Sequence, residues 1–170
     1  VSFVIASNEA RTQLDSLAWR GQDEWNDDWW QVAATENIIG IANHSWDHLH
    51  DKLDSVRQRD NLKGSFLHID TYEDAEQQIA DAELEISRLC AGKNLPLFGY
   101  PYGHVAPYLK DTYFPQEGQR LGLKGAFSTC GHIATAADSY WAIPRLVCGW
   151  HWKTSEDFSR LLDSIETGSS

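Results

Sequence analysis

Short apolar runs alternate along this chain with longer stretches in which apolar residues recur every three or four positions. The runs are Phe3-Val4-Ile5, Ile38 to Ile41, Ser65-Phe66-Leu67, Leu97 to Tyr100, Ala126-Phe127 and Leu146-Val147. Each is too short for a helix and rich in residues that suit a pleated, buried surface, so each predicts a strand. After Asp70-Thr71 the period changes: Ala75, Ile79, Ala82, Ile86 and Leu89 fall on one helical face, Glu73 and Asp74 occupy the first turn, and Gly92 follows the end. That pattern predicts an amphipathic helix with one inward face. A last helix is predicted where Thr154-Ser155-Glu156-Asp157 supplies capping residues ahead of Phe158, Leu161, Leu162 and Ile165. Strand followed by helix, repeated, implies an α/β fold on a parallel sheet. There is no internal repeat, low-complexity tract or linker, so residues 1–166 read as one domain and 167–170 as a polar tail.

Composition narrows the partners. With 170 residues, 42% of them hydrophobic and eight of them Trp, the chain has enough apolar surface for one core. Its 25 acidic against 14 basic residues give a net charge of −11, which argues against capture of nucleic acid or an anionic membrane. A neutral or cationic partner fits better, although solubility explains the charge equally well. Cys90, Cys130 and Cys148 have neither zinc-ribbon spacing nor an even count, so they read as small buried residues. No apolar stretch is long enough to span a membrane.

The strongest chemical signal is His44-Ser45-Trp46-Asp47-His48, which emerges from the Ile38–Ile41 run. Two histidines four positions apart share a face of a helical turn, a spacing that lets both neutral imidazoles reach one metal ion. Their place at the end of a strand is where α/β folds commonly carry chemistry.

Asn43-His44-Ser45-Trp46-Asp47-His48 resembles the second signature of the polysaccharide deacetylases of the NodB-homology family, carbohydrate esterase family 4, in which His-Ser/Thr-x-x-His supplies two ligands to a catalytic divalent metal. Leu97-Phe98-Gly99-Tyr100-Pro101-Tyr102-Gly103 is similar to the third signature, usually Arg-x-Pro-Tyr/Phe-Gly. A weaker match joins Gly122-Leu123-Lys124-Gly125-Ala126-Phe127-Ser128-Thr129 to Ile143-Pro144-Arg145-Leu146-Val147. The resemblance implies a distorted (β/α) barrel. It also exposes a departure: the first signature, with the base aspartate and a metal-binding aspartate, precedes the strand that Val1-Ser2-Phe3-Val4-Ile5-Ala6 resembles. Asp27-Asp28 sits instead in a Trp-rich stretch that reads as the start of a solvated helix. The chain is therefore expected to be a piece of a deacetylase domain without its first strand, and the absence of any Met agrees.

By this resemblance His44 and His48 would be metal ligands, with zinc as the default ion and cobalt, nickel and iron compatible with the same residue types. Ser45 and Asp47 would stand behind them, Asp47 either orienting an imidazole or capping the turn. The Tyr102 amide would hold the oxyanion, with Pro101 and Gly103 fixing the turn and Pro101, Tyr102 and Trp46 lining the substrate site. A Pro-Tyr-Gly run is otherwise an ordinary turn. Arg145 is the candidate substitute for the signature arginine that partners the base. His151 is the candidate general acid, in competition with a plain packed aromatic, and His132 is its weaker rival; His50, His68 and His104 read as structural or surface residues. Trp150 and Trp152 could stack on sugars, although most Trp in so Trp-rich a chain should be core.

The implied activity is metal-dependent removal of N-acetyl groups from an N-acetylglucosamine-containing polysaccharide, in the periplasm, at the cell surface or outside the cell. Two alternatives stand beside it: a carbohydrate-binding module without chemistry, and a related metal hydrolase of other small amides.

Overall fold

The computed structural model describes residues 1–18, 21–36, 39–60 and 64–167. Four strands, β1 (Ser2–Val4), β2 (Ile41–Asn43), β3 (Leu97–Gly99) and β4 (Gly125–Phe127), form one sheet in the order β1-β2-β3-β4. All neighbours are parallel, as the alternation of runs and periodic stretches predicts. Among the described residues the sheet has these four strands alone, so the expected distorted (β/α) barrel, incomplete at its N-terminal strand, is not shown.

Helix α1 (Asn8–Ala18) follows β1, and α2 (Trp30–Glu36) precedes β2. The buried Arg11 of α1 donates through Nη1 to the Ile5 and Ala6 carbonyls at 2.8 and 2.9 Å, stacks on Trp30 and pairs with Asp27. This tether corrects the reading of Asp27-Asp28 as a solvated helix start: Asp27 is bound to Arg11, the helix begins later, and Trp30 is 2% exposed. After the short α3 (Asp54–Arg57), the predicted amphipathic helix appears as α4 (Tyr72–Ala75), a π-turn (Glu76–Ala80) and α5 (Asp81–Leu89), with Thr71 Oγ1 capping the Asp74 N–H at 3.2 Å. Its periodic residues divide between two core clusters. Ala75 and Ile79 pack with Phe98, Tyr100 and Phe114, while Ala82, Ile86 and Cys90 pack with Val4, Ile41 and Trp30. Burying each such Ile or Phe contributes roughly 1.5–3 kcal/mol, which is why the helix lies on the sheet. A second π-turn (Leu109–Tyr113) leads into α6 (Phe114–Glu117). Helix α7 (Ser155–Thr167) runs through residue 167, one position into the predicted tail; residues 168–170 lie outside the described residues.

Two predicted strands are not strands. Ser65-Phe66-Leu67 becomes a 3-10 turn (Phe66–His68), because Ser65 Oγ accepts from Leu67 N–H at 3.2 Å while Phe66 and Ile69 enter the core. Leu146-Val147 pairs with nothing in the sheet; the ladder beside β4 is instead made by Ile143, which exchanges bonds with Ala126 and Ser128. Pro144 has no N–H and ends that ladder at once. The second run begins its strand at Ile41, and Ile38 lies outside the described residues.

Candidate active site

The site grows from the end of β2. Asn43, fully buried, donates through Nδ2 to the Ile79 carbonyl and to Glu83 Oε2, both at 3.0 Å, and accepts through Oδ1 from Ser45 N–H at 2.8 Å. Ile79 belongs to the π-turn, so the helix meets the histidine loop at that turn. The Gln78 carbonyl accepts from Trp46 N–H at 2.9 Å, so the same turn holds the histidine loop at a second point. Glu83 Oε1 takes a further bond from Asn94 at 2.7 Å, and burial raises the pKa of the Glu83 carboxyl.

His44 and His48 do not share a helical turn, which corrects the first reading of their spacing. They lie on a loop in which Ser45, His48 and Leu49 all take positive φ, at 77°, 63° and 46°. Non-glycine residues adopt that region at a cost of about 1–2 kcal/mol each, so the surrounding bonds must hold it. Ser45 Oγ accepts from His48 N–H at 2.9 Å, and Asp47 Oδ1 accepts from Leu49 N–H at 2.9 Å while Oδ2 binds Arg59 at 2.9 Å. Of the two roles open to Asp47, capping of the turn is the one its bonds make; no bond joins it to an imidazole. The outcome is nonetheless a pair of edge-to-face imidazoles with ring centroids 4.8 Å apart.

Both rings are electrically prepared. His44 Nδ1 donates to the Gly99 carbonyl at 2.6 Å, which leaves Nε2 with a free lone pair. Burial pushes the His44 pKa down to about 4, against the Gly99 bond, with Arg145 adding to the fall. Burial pushes His48 down to about 3, helped by His44, His50 and His104. His48 Nδ1 is buried without a hydrogen-bond partner among the described residues. Neutral imidazoles, one anchored through a backbone carbonyl and one with an orphaned ring nitrogen, fit the ligand chemistry of a divalent metal. Among the described residues, however, no group of three histidines, cysteines or carboxylates gathers as a full ligand set. The pair offers at most two nitrogens to such a set.

Tyr102 stands next to them, its ring 4.4 Å from that of His48. Its backbone lies at φ 57° and ψ 3°, and the turn is followed by Gly103 at φ 73°. A Cβ on Gly103 would lie 1.8 Å from Thr129 Oγ1, so only glycine lets the turn press on the segment after β4. The first bond inside the turn is Gly103 N–H to the Tyr100 carbonyl, which leaves the Tyr102 N–H ahead of it without an intrahelical acceptor. Pro101 is buried beneath. Arg145 donates through Nε to the Ser128 carbonyl at 3.0 Å and covers the Phe3 ring, which in turn lies 6.2 Å from His44. It is half-buried and forms no ion pair among the described residues, and burial lowers its pKa.

Other candidates sit elsewhere. Trp46 packs against the cluster of Val4, Ile41 and Trp30, where the bulk of its ring fills core space. His151 accepts through Nδ1 from Val147 N–H at 2.8 Å and lies against Gly131; no ring contact joins it to His44, His48 or Tyr102. His132 is an exposed partner of Asp138, Trp150 is exposed, and Trp152 packs on Phe158. His50 and His104, which read as structural or surface residues, surround the site instead: the His50 ring is 6.2 Å from His48 and the His104 ring 5.3 Å from Tyr102. Sequence reading also overlooked Asn43, the Gly99 carbonyl and Arg59. A polar Asn closing an apolar strand was the one available signal; the Gly99 carbonyl is a contact from the neighbouring strand and Arg59 reaches Asp47 from the turn after α3. A cavity of about 290 Å³ adjoins the pair, lined by Phe3, Trp25, Trp29, His44, His48 and His50.

No family model matches the sequence, and no curated protein matches it either. Among solved structures the chain is similar to the Streptococcus pyogenes deacetylase PplD in complex with acetate, with a TM-score of 0.55 and 15% identity. The likeness covers 89% of this chain and 55% of that one, so the chain spans about half the length of PplD. The fold is thus deacetylase-like, in keeping with the resemblance of the His44-Ser45-Trp46-Asp47-His48 and Pro101-Tyr102-Gly103 segments.

Proposed function

We propose that this chain carries the histidine half of a metal-dependent N-deacetylase acting on an N-acetylglucosamine-containing polysaccharide. The observation that carries the reading is the neutral, loop-held pair His44 and His48, with His44 fixed through Nδ1 to the Gly99 carbonyl. The deacetylase-like fold supports the reaction class. A divalent metal, zinc by default, would activate water and polarise the acetyl carbonyl.

The chain's own residues do the rest of what is assigned here. His44 and His48 would hold the ion, their imidazoles kept unprotonated by burial. The Tyr102 N–H would donate to the acetyl oxygen as negative charge develops on it, in a backbone conformation fixed before the reaction begins. Arg145, half-buried and without an ion pair among the described residues, would receive the carboxylate that serves as base. That carboxylate and the third ligand are required by the reading and are not supplied by the described residues. His151 stays the candidate general acid: with Nδ1 accepting from Val147, its neutral form carries the proton on Nε2, the state a proton donor needs. The incomplete ligand set favours one competing reading, a glycan-binding module without chemistry.

Acetate release from chito-oligosaccharides, measured with and without zinc on the full-length natural polypeptide, separates the two. Zinc-dependent release abolished by His44→Ala supports the deacetylase; glycan binding without release, indifferent to His44→Ala, replaces it with the binding module. Release of acyl groups from small amides but not from the oligosaccharides would move the substrate class.

A further inference from the structure

The cavity beside the histidine pair is larger and more apolar than an acetyl group requires. It measures about 290 Å³, and Phe3, Leu14, Trp25 and Trp29 line it together with His44 and His48. Behind these, Ile5 and Leu14 belong to one core cluster and Val4 and Trp30 to another, so packing fixes much of the wall. An apolar cavity of about 150 Å³ holds a benzene molecule, so this one suits a chain of roughly six to eight carbons. The single methyl of an acetyl group would leave most of the wall without contacting atoms.

The polar groups of the wall narrow the ligand further. Arg11 uses both terminal nitrogens on the Ile5 and Ala6 carbonyls, Asn8 and Asp27, and only its buried Nε–H lacks an acceptor among the described residues. Asn26 donates to the Asp23 carbonyl at 2.6 Å and accepts from Asp28 N–H at 3.3 Å. Glu24, the one carboxylate among the lining residues, is exposed. A sugar ring would bring several hydroxyls to a wall with few free partners, whereas an alkyl chain brings none. We infer that the site takes N-acyl groups longer than acetyl, with the carbonyl at His44 and His48 and the alkyl chain in this cavity. The inference rests on the deacetylase reading for where the carbonyl lies. Hydrolysis of such an amide breaks its C–N bond: water supplies the oxygen of the carboxylate formed, and the amine takes up a proton as it leaves with the sugar.

The test compares N,N′-diacetylchitobiose with its N,N′-dihexanoyl analogue on the full-length natural polypeptide, by amide chemical-shift mapping without zinc and by carboxylate release with zinc. The analogue is expected to bind at least about tenfold more tightly, since each fully buried methylene is worth about fourfold, and to shift the amides of residues 2–5 and 25–30 in addition to 44–50. Trp29→Ala, at a position 39% exposed, removes one wall and lowers that advantage to about threefold. Equal affinity, shifts that spare residues 2–5 and 25–30, or an advantage that Trp29→Ala leaves intact overturns the cavity; acetate release in the same protein then keeps the deacetylase reading. Tighter binding of the analogue with release of acetate alone overturns the placement of the carbonyl. Binding of the hexanoyl chain in the cavity with release of neither carboxylate supports the cavity and overturns the deacetylase reading.

Discussion

His44 Nδ1 lies 2.6 Å from the carbonyl oxygen of Gly99, a residue on the neighbouring strand and 55 positions away in sequence. The bond fixes the imidazole's tautomer and its direction at once, and it ties the histidine loop to the strand that carries Tyr102. Glycine at position 99 lets this strand lie close to Phe3, since a Cβ there would come within 2.8 Å of the Phe3 ring. The two sequence motifs are therefore one structural unit.

If His44 and His48 share an ion, zinc should stabilise the chain and the two alanine variants should not respond. At zinc one hundred times its dissociation constant the gain is about 2.7 kcal/mol. Urea unfolding with and without zinc measures it; equal stabilisation of wild type, His44→Ala and His48→Ala would place the metal elsewhere.

Asn43→Ala should destabilise the fold by about 1–3 kcal/mol, because it strands Glu83, the Ile79 carbonyl and Ser45 N–H away from water. Denaturant midpoints give the loss. A variant as stable as wild type would show that the Asn43 bonds contribute nothing net.

Gly103→Ala should cost about 2 kcal/mol or more, combining a positive φ with a methyl group placed 1.8 Å from Thr129 Oγ1. Thr129→Gly should restore part of that loss by removing the clash but not the backbone strain. Thermal midpoints of the single and double variants decide it, and purely additive losses would rule the contact out.

Stability should fall as pH drops below neutrality. In the unfolded chain each histidine titrates near about 6.5, whereas burial in the fold holds His44 to about 4 and His48 to about 3. Between those values the unfolded state binds more protons, so stability is full above about 6.5 and is lost on acidification until the folded values are passed. Each histidine contributes at most roughly 1.4 kcal/mol per pH unit. Urea titrations at pH 7, 6 and 5 should show this slope, reduced in a His44→Gln/His48→Gln variant; a flat profile in wild type would contradict burial of neutral rings.

The sequence by itself determined the parallel α/β class, the inward face of the helix from Tyr72 to Leu89, and the presence of a paired-histidine motif after a strand, since these are local patterns of period and residue type. It misjudged the Ser65 and Leu146 segments because a short apolar run looks alike whether it joins a ladder or plugs a core from a turn. Only the tertiary structure decided how the histidines meet. Their spacing suggests a helix, yet the loop owes its shape to Asn43, the π-turn carbonyl of Gln78 and the Asp47–Arg59 pair. Gln78 and Arg59 are remote in sequence, and all three partners act through hydrogen bonds, which leave no period behind them. The neutrality of His44 and His48 belongs to the same class, because burial comes from what packs over a side chain and not from its neighbours in the chain.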